Sequence, residues 1–547
     1  MGEGDERRRL VREVARCALG FETLRPGQEE AASAVLAGRD VLAVLPTGSG
    51  KSAIYQIAGA LIDGATVVVS PLIALQRDQV GAIGEQLGGA TQVNSSMTGT
   101  QRRQAFEGLR EGDIEFVFVA PEQLANDETL ERIVAAEPSL VVVDEAHCIS
   151  SWGHDFRPEY LRLGEMLESL GSPQVLALTA TAAPPVRREI VDQLGMRDPV
   201  EVIAGFFRPN IHLEVATATD PEQAEAALLE RAASLEGTGI VYVATRRQAE
   251  EVAGELVARG RDAAAYHAGL GTKRRDEVHD RFLQPEPFVV VATIAFGMGI
   301  DAPHVRFVLH ADPPESLDAY YQEFGRAGRD DDPASAVLFH LVGDAGGRRF
   351  FAGTAEMPGA VLERIAATVD RALEPLPVET LAEVVELPQA RLTVALDLLE
   401  KVGAIEFDAE GTVSSVEGGP SPAQGAEAAA GAHERYRSAE RSRGEMMRNY
   451  LETDSCRWRT ILGYFGQPTE EDCGRCDNCD DGTSAGRGDI EVGERPFPLD
   501  TRVSHATWGE GQVIGYEADT VTVLFDEGGY RTLSVTLVNE GNLLAPA

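Results

Sequence analysis

The chain has 547 residues, of which 43% are apolar and 25% charged, and this length predicts about three to five domains rather than one hydrophobic core. The net charge of −39 argues on its face against a nucleic-acid partner, although an acidic exterior can surround a locally basic groove. The first residues lack the apolar run of a signal peptide, and no stretch approaches the ~18 apolar residues of a membrane span. We therefore expect a cytoplasmic protein with no membrane partner.

Short Val/Ile/Leu-rich runs alternate with helix-length segments from about residue 38 to 205, and the same rhythm returns between about 239 and 312. Examples are "DVLAVLP", "ATVVVSP", "EFVFVAP", "LVVVDEA" and "VLALTAT", followed later by "GIVYVAT", "DAAAYHAGL", "FVVVATI" and "VRFVLHAD". Strands that are apolar almost throughout and alternate with helices indicate a parallel sheet covered on both faces. The sequence therefore predicts two α/β domains in tandem, joined near "GFFRPNIHLEV", with ligands at the carboxyl ends of the strands.

The motif "LPTGSGKS", at 45–52, follows the first of these strands. Its glycines let backbone N–H groups wrap around phosphates, its lysine neutralises the β and γ oxygens, and its last hydroxyl ligates Mg²⁺. In "VVVDEAH", Asp144 is expected to hold Mg²⁺ through water, and Glu145 to orient or deprotonate the attacking water. The predicted nucleotide-binding residues in these two motifs are Thr47, Gly48, Ser49, Gly50, Lys51, Ser52 and Asp144.

The segment "QEFGRAGRDDD", at 322–332, offers Arg326 and Arg329. Phosphoryl transfer needs positive charge opposite the γ-phosphate, and two arginines three residues apart lie on one face of a helix. We expect both to reach across a cleft between the α/β domains, so that hydrolysis changes the separation of the domains. The alternative is a surface helix whose arginines form ion pairs.

A group of four cysteines has the spacing C-x₁₆-C-x₂-C-x₂-C and consists of Cys456, Cys473, Cys476 and Cys479. Four thiolates can hold tetrahedral Zn²⁺, and a site with every position filled by protein is structural. Disulfides are the alternative. The surrounding segment, 421–482, is predicted to be a helical hairpin, on which Arg457 and Arg459 are candidates for contact with duplex DNA.

The remaining C-terminal segments differ in texture. Three short helical patterns and a hairpin-like pair at 353–420 indicate a winged-helix-like domain, the alternative being a helical spacer. Residues 483–497 are typical of a flexible linker. Apolar and polar residues alternate between Gly/Asp turns at 498–547, which predicts a small SH3- or Tudor-like β-barrel.

Taken in order, these motifs resemble the RecQ family of superfamily 2 DNA helicases. The match lies in "FETLRPGQEEAASAVLAGRDVLAVLPTGSGKSAIYQ", "SPLIALQRDQV", "LTATA", "VATIAFGMGID" and "YYQEFGRAGRD", and it resumes around the cysteines. The resemblance implies that the α/β domains are RecA-like, with the first at 1–205 and the second at 206–352, and that ATP is the nucleotide.

The resemblance also assigns residues that the motif chemistry alone does not. It implies that Phe21 and Arg25 sandwich the adenine while Gln28 reads its edge. It further implies that Gln322 links the nucleotide site to DNA, and that Thr293 contacts a DNA phosphate.

The segment "SSWGHDFRPEY", directly after "DEAH", resembles the aromatic-rich loop of RecQ enzymes. Bases of single-stranded DNA stack on aromatic faces for ~1–3 kcal/mol each, without regard to sequence. Trp152 and Phe156 would supply such faces and Arg157 a phosphate contact; the alternative is that the aromatic residues belong to the core. Because the loop follows Glu145, movement of DNA can move the carboxylate that positions water.

The C-terminal order departs from that of RecQ enzymes, because the winged-helix candidate precedes the zinc cysteines. Its "EFDAEGT" turn is acidic and makes a poor wedge for parting strands. The final segment resembles the C-terminal domain of UvrD/PcrA helicases through "V-x-H-x-x-W-G-x-G-x-V". Its acidity argues against DNA, so we expect a protein partner there; the alternative is a passive stabilising module.

Together the patterns predict an ATP-dependent DNA helicase that uses Mg²⁺ and Zn²⁺ and binds single-stranded and duplex DNA. The resemblance implies 3′→5′ translocation and unwinding in DNA repair or recombination. One alternative is a DNA-stimulated ATPase that remodels nucleoprotein without extensive unwinding; another is a nucleotide-gated scaffold acting through the C-terminal barrel. The zinc cysteines and the aromatic loop disfavour an RNA helicase.

Overall fold

The computed structural model of the chain describes residues 3–71, 76, 79–81, 83–84, 89–93, 97–125, 127–150, 160, 163–297, 302–342, 357–372, 374–408, 411–416, 418–486, 495–526 and 528–547. The chain divides into two compact units: Met1–Asp344 with Glu445–Ala547 form the larger, and Ala345–Gly444 form the smaller. Within the described residues, no helix combines the length and the apolar composition needed to cross a bilayer.

The first sheet of the larger unit has seven parallel strands in the order β3-β4-β2-β5-β6-β1-β7. The strands are β1 Val41–Val44, β2 Thr66–Val69, β3 Ala90–Val93, β4 Phe116–Val119, β5 Leu140–Val143, β6 Gln174–Thr179 and β7 Val200–Ile203. In β1, Leu42 and Val44 lie in one apolar cluster while Val41 and Ala43 lie in another. Both faces of the sheet are therefore covered, as the prediction of a parallel α/β domain requires.

In the sequence, helices precede the first strand of this sheet and lie between later strands. The α-helices are Glu3–Cys17, Gln28–Val35, Ser52–Gly59, Gly99–Glu111, Asp127–Ala135, Leu163–Ser169 and Pro184–Gln193, and the 3₁₀ helices are Pro121–Ala125 and Ala146–Ile149. Strands β3 and β7, which the apolar runs do not predict, lie at the two edges of the sheet. β3 buries only Val93 and β7 only Val202. An edge strand has one neighbour and less cover, so it needs fewer apolar residues.

The second sheet has six parallel strands in the order β10-β11-β9-β12-β13-β8. Its strands are β8 Ile211–Ala218, β9 Thr238–Tyr242, β10 Ala263–Tyr266, β11 Val289–Ala292, β12 Val305–His310 and β13 Ala334–Leu341. Its helices are Pro221–Ser234, Arg246–Ala258, Thr272–Phe282 and Leu317–Phe324. The segment predicted to join the domains thus enters the sheet as edge strand β8. Its burial alternates, with Ile211, Leu213 and Val215 inside, a period of two that the continuous apolar runs of the other strands do not show.

The smaller unit contains three helices, Gly359–Asp370, Val378–Val385 and Gln389–Lys401. A small antiparallel sheet accompanies them in the order β14-β16-β15, with β14 Leu376–Pro377, β15 Ile405–Phe407 and β16 Thr412–Ser415. Leu362, Leu381, Leu396 and Val413 are among the buried residues that hold the helices to the sheet. These are the three helices and the hairpin that the sequence predicts. The boundary between the units falls within the long helix Pro422–Glu452 that follows.

The remainder of the larger unit comprises the cysteine segment and a C-terminal β-domain. The helices of the cysteine segment are Arg457–Tyr464, Asp477–Asp480 and Thr483–Gly486. The β-domain is an antiparallel sheet in the order β20-β19-β18-β17-β21, formed by β17 Arg502–His505, β18 Gly509–Glu517, β19 Thr520–Phe525, β20 Gly529–Ser534 and β21 Ala545–Pro546, with helix Val535–Gly541. Its own core contains Val503, Val521 and Phe525. The small all-β domain expected at the C-terminus is therefore present.

Candidate functional site

The phosphate-type motif lies between the carboxyl end of β1 and helix Ser52–Gly59, where an open α/β sheet binds ligands. Gly48 and Gly50 have φ values of 77° and 72°, a left-handed conformation that glycine adopts without a steric penalty. A Cβ on Gly48 would lie 2.7 Å from Cγ of Arg329. An arginine between strands β12 and β13 of the second sheet therefore packs directly on the loop that follows the first strand of the first sheet.

The residues expected at the adenine lie beside this loop. Gln28 is 5% exposed, and its Nε2 donates to the backbone oxygens of Ser49 (2.8 Å) and Gly50 (2.9 Å). The Arg25 guanidinium donates to the backbone oxygen of Gly48. Phe21 is exposed and lines, together with Arg25, a pocket of about 1070 Å³. The structure thus places Arg25 and Gln28 against the phosphate loop, and Phe21 lines the same pocket as Arg25.

Asp144 and Glu145 follow β5 at the same edge of the sheet. Burial and the neighbouring Glu145 raise the pKa of Asp144 to about 7, and Lys51 offsets part of this effect. Ser70 Oγ donates to Asp144 Oδ2 at 3.3 Å. Glu145 is left-handed, with φ 48°, a conformation that costs energy for a side chain with a Cβ and is typical of functional sites.

The buried polar atoms around this edge show whether a nucleotide would fit. Among the described residues, Oγ1 of Thr47, Oγ of Ser49, Oε2 of Glu145 and Nε of Arg326 are buried without a hydrogen-bond partner. Buried polar groups in proteins are normally paired. Donors and acceptors left open on both sides of the loop fit a bound polyphosphate with its cation.

His147 and Tyr160 connect this carboxylate pair to the rest of the first domain. His147 is fully buried, and its Nδ1 lies 2.9 Å from Thr179 Oγ1 and 3.4 Å from Glu145 Oε2. The Tyr160 hydroxyl donates to the backbone oxygen of Asp144 at 3.1 Å. The predicted DNA-binding residues between these positions, Trp152, Phe156 and Arg157, lie outside the described residues.

Arg326 and Arg329 are not on a helix, so the prediction that they share a helix face is wrong. Helix Leu317–Phe324 ends before them, and Gly328, at φ 58°, turns the chain between them. Gln322 is on the helix and is buried. A Cβ on Gly325 would lie 3.2 Å from Thr47 Oγ1, so the turn that carries Arg326 touches the phosphate loop even without helical geometry.

Thr293 lies immediately after β11, and its backbone N–H donates to Tyr266 O at 3.3 Å. It is half-buried at the carboxyl end of its strand. The structure therefore places Thr293 at the ligand-binding edge of the second sheet, where the predicted phosphate contact requires it.

Two further residues at the site were not predicted. Arg208 donates to the backbone oxygens of Gly328 (2.7 Å), Gly325 (3.4 Å) and Thr47 (3.5 Å), so it joins the arginine turn to the phosphate loop. Tyr242 donates to Phe296 O at 2.9 Å, and burial raises its pKa to about 12, an effect that the nearby Arg326 cation partly offsets. Arg208 lies in "GFFRPNI", which carries the family resemblance, but no local pattern reveals its partners.

The four cysteines form one cluster, with their sulfur atoms all within 4.8 Å of one another. The Sγ–Sγ distances are 3.8 Å for Cys473–Cys479 and 3.4 Å for Cys476–Cys479, close to the edge of a tetrahedron with Zn–S bonds of about 2.3 Å. Backbone N–H groups of Arg457, Cys473 and Arg475 donate to cluster sulfurs at 3.2–3.4 Å, as thiolate ligands accept them. The residues present therefore fit a structural zinc ion.

The cysteine cluster is built onto the second sheet. Leu213 of edge strand β8 bridges to Cys476, and its N–H donates to Arg475 O at 3.2 Å. The Val215 N–H donates to the Asp477 carboxylate at 2.8 Å. The cluster loop therefore lies along the outer edge of β8.

The expectation that Arg457 contacts DNA is wrong, because the residue is 4% exposed. Its guanidinium donates to both oxygens of Asp477 at 3.0 and 3.1 Å and to Tyr450 O at 2.6 Å. Arg459 pairs with Asp472 at 3.5 Å and is also largely buried, with an 18% exposed side chain. Both arginine side chains are therefore used in contacts within the protein and not for binding a ligand.

Three family models match the chain in order: DEAD/DEAH box helicase over 25–189, helicase conserved C-terminal domain over 224–331, and RecQ zinc-binding over 422–480. The ATP-dependent DNA helicase RecQ of Pasteurella multocida is 42% identical over 333 residues, covering 61% of this chain and 52% of that protein. The ATP-dependent DNA helicase RecQ of Bacillus subtilis is 32% identical over 468 residues, covering 85% of this chain and 66% of that protein. This chain thus spans about half the length of the first relative and about two thirds of the second.

Among solved structures, the DUF1998 helicase MrfA bound to DNA is similar, with a TM-score of 0.53 and 18% identity over 77% of this chain and 60% of that chain. A likeness at this identity shows the fold alone. The sequence relatives and the zinc-binding match say more, because the RecQ zinc-binding model covers all four clustered cysteines. With two parallel-sheet helicase domains followed by that zinc-binding module, the chain belongs to the RecQ family of superfamily 2 helicases.

Proposed function

We propose that this chain is an ATP-dependent DNA helicase that translocates 3′→5′ on single-stranded DNA and unwinds duplex in DNA repair or recombination. One observation carries the proposal: Arg329, which lies between strands β12 and β13 of the second sheet, packs against Gly48 in the phosphate loop of the first sheet. A nucleotide held there contacts both domains, so hydrolysis can change how the domains are held together. The names of the RecQ relatives support DNA as the substrate.

The proposed roles at the nucleotide follow from position and charge. The N–H groups of the phosphate loop and Lys51 bind the β and γ phosphates, and Ser52 with Asp144 holds Mg²⁺, which when bound would neutralise phosphate charge. Glu145 orients the attacking water through Oε2, which accepts no hydrogen bond from the described residues and lies 3.4 Å from His147 Nδ1. Arg326 and Arg329 stabilise the negative charge that develops at the γ-phosphate, as arginines do in phosphoryl transfer.

The proposed DNA contacts are Trp152, Phe156, Arg157 and Thr293. The first three belong to the segment that begins after Ser150 and ends before Tyr160. Ser150 Oγ donates to Glu189 Oε2 at 2.5 Å, and Tyr160 bonds to the backbone of Asp144. Because the described residue Tyr160, at the end of this segment, bonds to the backbone of Asp144, stacking of a base on the segment can affect Glu145.

The proposal extends to organisation, partners and location. We assign RecA-like domains to 1–205 and 206–352, a winged-helix-like domain to 353–420, the zinc module to 421–482, a linker to 483–497 and the C-terminal β-domain to 498–547. We also propose that the β-domain has a protein partner. A cytoplasmic location is supported by the thiolate cluster, since free cysteines persist in reducing compartments.

A strand-displacement assay tests the function. Wild-type protein with ATP and Mg²⁺ should separate 3′-tailed DNA duplexes but not blunt or 5′-tailed ones, and it should not act on the matching RNA duplexes. Lys51→Ala should lose both ATP hydrolysis and displacement. DNA-stimulated ATP hydrolysis without displacement on any tail would contradict unwinding and leave a translocase. Function that persists in Lys51→Ala would leave a nucleotide-gated scaffold.

A further inference from the structure

The C-terminal β-domain buries some of its apolar residues against other parts of the larger unit. Ile514, Leu524 and Tyr530 are buried and belong to the large core cluster that includes residues of both parallel sheets and the zinc module. A Cβ on Gly463 of the zinc module would lie 2.8 Å from Ile514 O. The β-domain is thus packed into the motor and zinc module at close range, which a loosely tethered module would not be.

Tyr530 makes the most directed of these contacts. It is 2% exposed, its ring stacks on the Tyr464 ring with centroids 4.7 Å apart and planes inclined by 15°, and its hydroxyl donates to Tyr464 O at 2.9 Å. Stacked aromatic pairs are stabilised beyond the area that they bury. The position of Tyr464 therefore depends on the β-domain through both its ring and its backbone.

Tyr464 in turn contacts the helix that leads to the arginine turn. Its hydroxyl donates to the Asp318 carboxylate, which is buried within helix Leu317–Phe324. Gln322 lies four residues further along that helix, one turn away on the same side. Arg326 follows directly after the helix ends. A chain of buried contacts thus connects the β-domain to residues placed at the nucleotide.

The neighbouring residue of the zinc module reinforces this connection. Phe465 stacks on Phe206 with centroids 4.2 Å apart, and Phe206 O accepts from the Tyr321 hydroxyl at 2.8 Å. Tyr321 is on the same helix as Asp318. Helix Leu317–Phe324 is therefore contacted at Asp318 and Tyr321, one turn apart. Tyr464 contacts Asp318, and Phe465 reaches Tyr321 through Phe206.

The β-domain also contacts the first α/β domain. Asp526 pairs with Arg188 on helix Pro184–Gln193 at 2.8 Å, and the adjacent Arg187 donates to Phe465 O at 2.6 Å. A passive module would need contact with only one surface. Here the β-domain touches one element of the first domain and, through Tyr464, one element of the second.

We propose that Tyr530 is a positioning residue for the ATPase: through Tyr464 and Asp318 it holds the helix that carries Gln322 and precedes Arg326. The C-terminal β-domain therefore helps to fix the geometry of the nucleotide site. This inference rests on the proposed ATPase activity. It predicts that a change in the β-domain alters turnover without altering ATP binding, because the phosphate loop is formed by the first domain.

The test compares two changes that each remove one buried hydroxyl from the β-domain. Tyr530→Phe keeps the ring but loses the bond to Tyr464 O. Tyr516→Phe is the matched control, because its hydroxyl donates to Phe497 O at 2.7 Å within the β-domain segment. DNA-stimulated kcat should fall about twofold to tenfold in Tyr530→Phe, the range for one lost hydrogen bond, with KM for ATP unchanged. Tyr516→Phe should match the wild type in both.

Zinc content and thermal unfolding of each variant separate positioning from folding. A double variant with Tyr464→Phe should lose less kcat than the product of the two single losses, because both changes interrupt one path. The inference is overturned if kcat per zinc-loaded molecule is the same in Tyr530→Phe and Tyr516→Phe, or if only stability changes. A wild-type protein without ATP hydrolysis would instead overturn the proposed function.

Discussion

The buried arginine of the zinc module, Arg457, allows a test of whether a buried charge stabilises this fold or contacts DNA. Arg457→Ala removes two bonds to Asp477, at 3.0 and 3.1 Å, and one to Tyr450 O at 2.6 Å. It also removes a cation from above the Tyr450 ring, 5.5 Å from its centroid. Asp477 then remains mostly buried without its cation, so the variant should lose about 3–5 kcal/mol of unfolding free energy.

The assay is urea unfolding of the zinc-loaded protein, followed by zinc release. Arg459→Ala is the matched control, because its ion pair with Asp472 is 3.5 Å long and the side chains are 18% and 34% exposed. That pair should contribute no more than about 1 kcal/mol. If Arg457→Ala kept the wild-type urea midpoint and zinc content but lost DNA affinity, Arg457 would be a DNA contact and the reasoning from burial would be refuted.

Three further predictions concern the nucleotide site. Burial and Glu145 raise the pKa of Asp144 to about 7, so kcat/KM for ATP should rise with pH through that value as the carboxylate ionises. The nucleotide-free protein should lose stability as pH rises from the ordinary carboxyl pKa of 3.8 to about 7, because the unfolded state ionises first; Asp144→Asn should remove this stability slope. Tyr160→Phe should keep basal ATPase but lower DNA stimulation about twofold to tenfold through the lost bond to the Asp144 backbone. Unchanged stimulation would show that this bond does not couple DNA binding to ATP hydrolysis. Tyr242→Phe should lower kcat without raising KM, since its hydroxyl donates to Phe296 O and lies near the Arg326 cation; equal changes in both would indicate general disruption.

The local patterns of this chain predict most of its central strands, because those strands are buried on both faces and read as continuous apolar runs. Central strand β13 is not predicted by these patterns, although it too is largely buried. Strands β3 and β7 escape prediction because they are edges, and β8 because its one-faced burial gives an alternating pattern. The glycines of "GRAGR" explain a different error. A spacing of three suggests a helix face, but Gly325 and Gly328 end the helix and turn the chain, so the two arginines reach the phosphate loop from a turn.

Residues of the candidate site can be predicted from the sequence where a short motif contains the chemically active groups, as at Lys51 and the four cysteines. It is not predictable where a residue acts through distant backbone. Arg208 bonds to Thr47, Gly325 and Gly328, which are more than a hundred residues away in the chain. Tyr530 likewise contacts Tyr464 across a sequence separation of 66 residues. Such contacts depend on tertiary packing, about which hydrophobic periodicity says nothing.

The placement of the cysteine loop along β8 has a consequence for solubility. An exposed strand edge presents unpaired N–H and C=O groups that can pair with another molecule. Here the Leu213 N–H is taken by Arg475 O, and the Val215 N–H by the Asp477 carboxylate. A zinc ion bound by the four cysteines would hold this loop on β8 and would thereby oppose strand pairing between molecules. Chelation should first produce concentration-dependent light scattering, as uncovered β8 edges join one copy of the protein to the next.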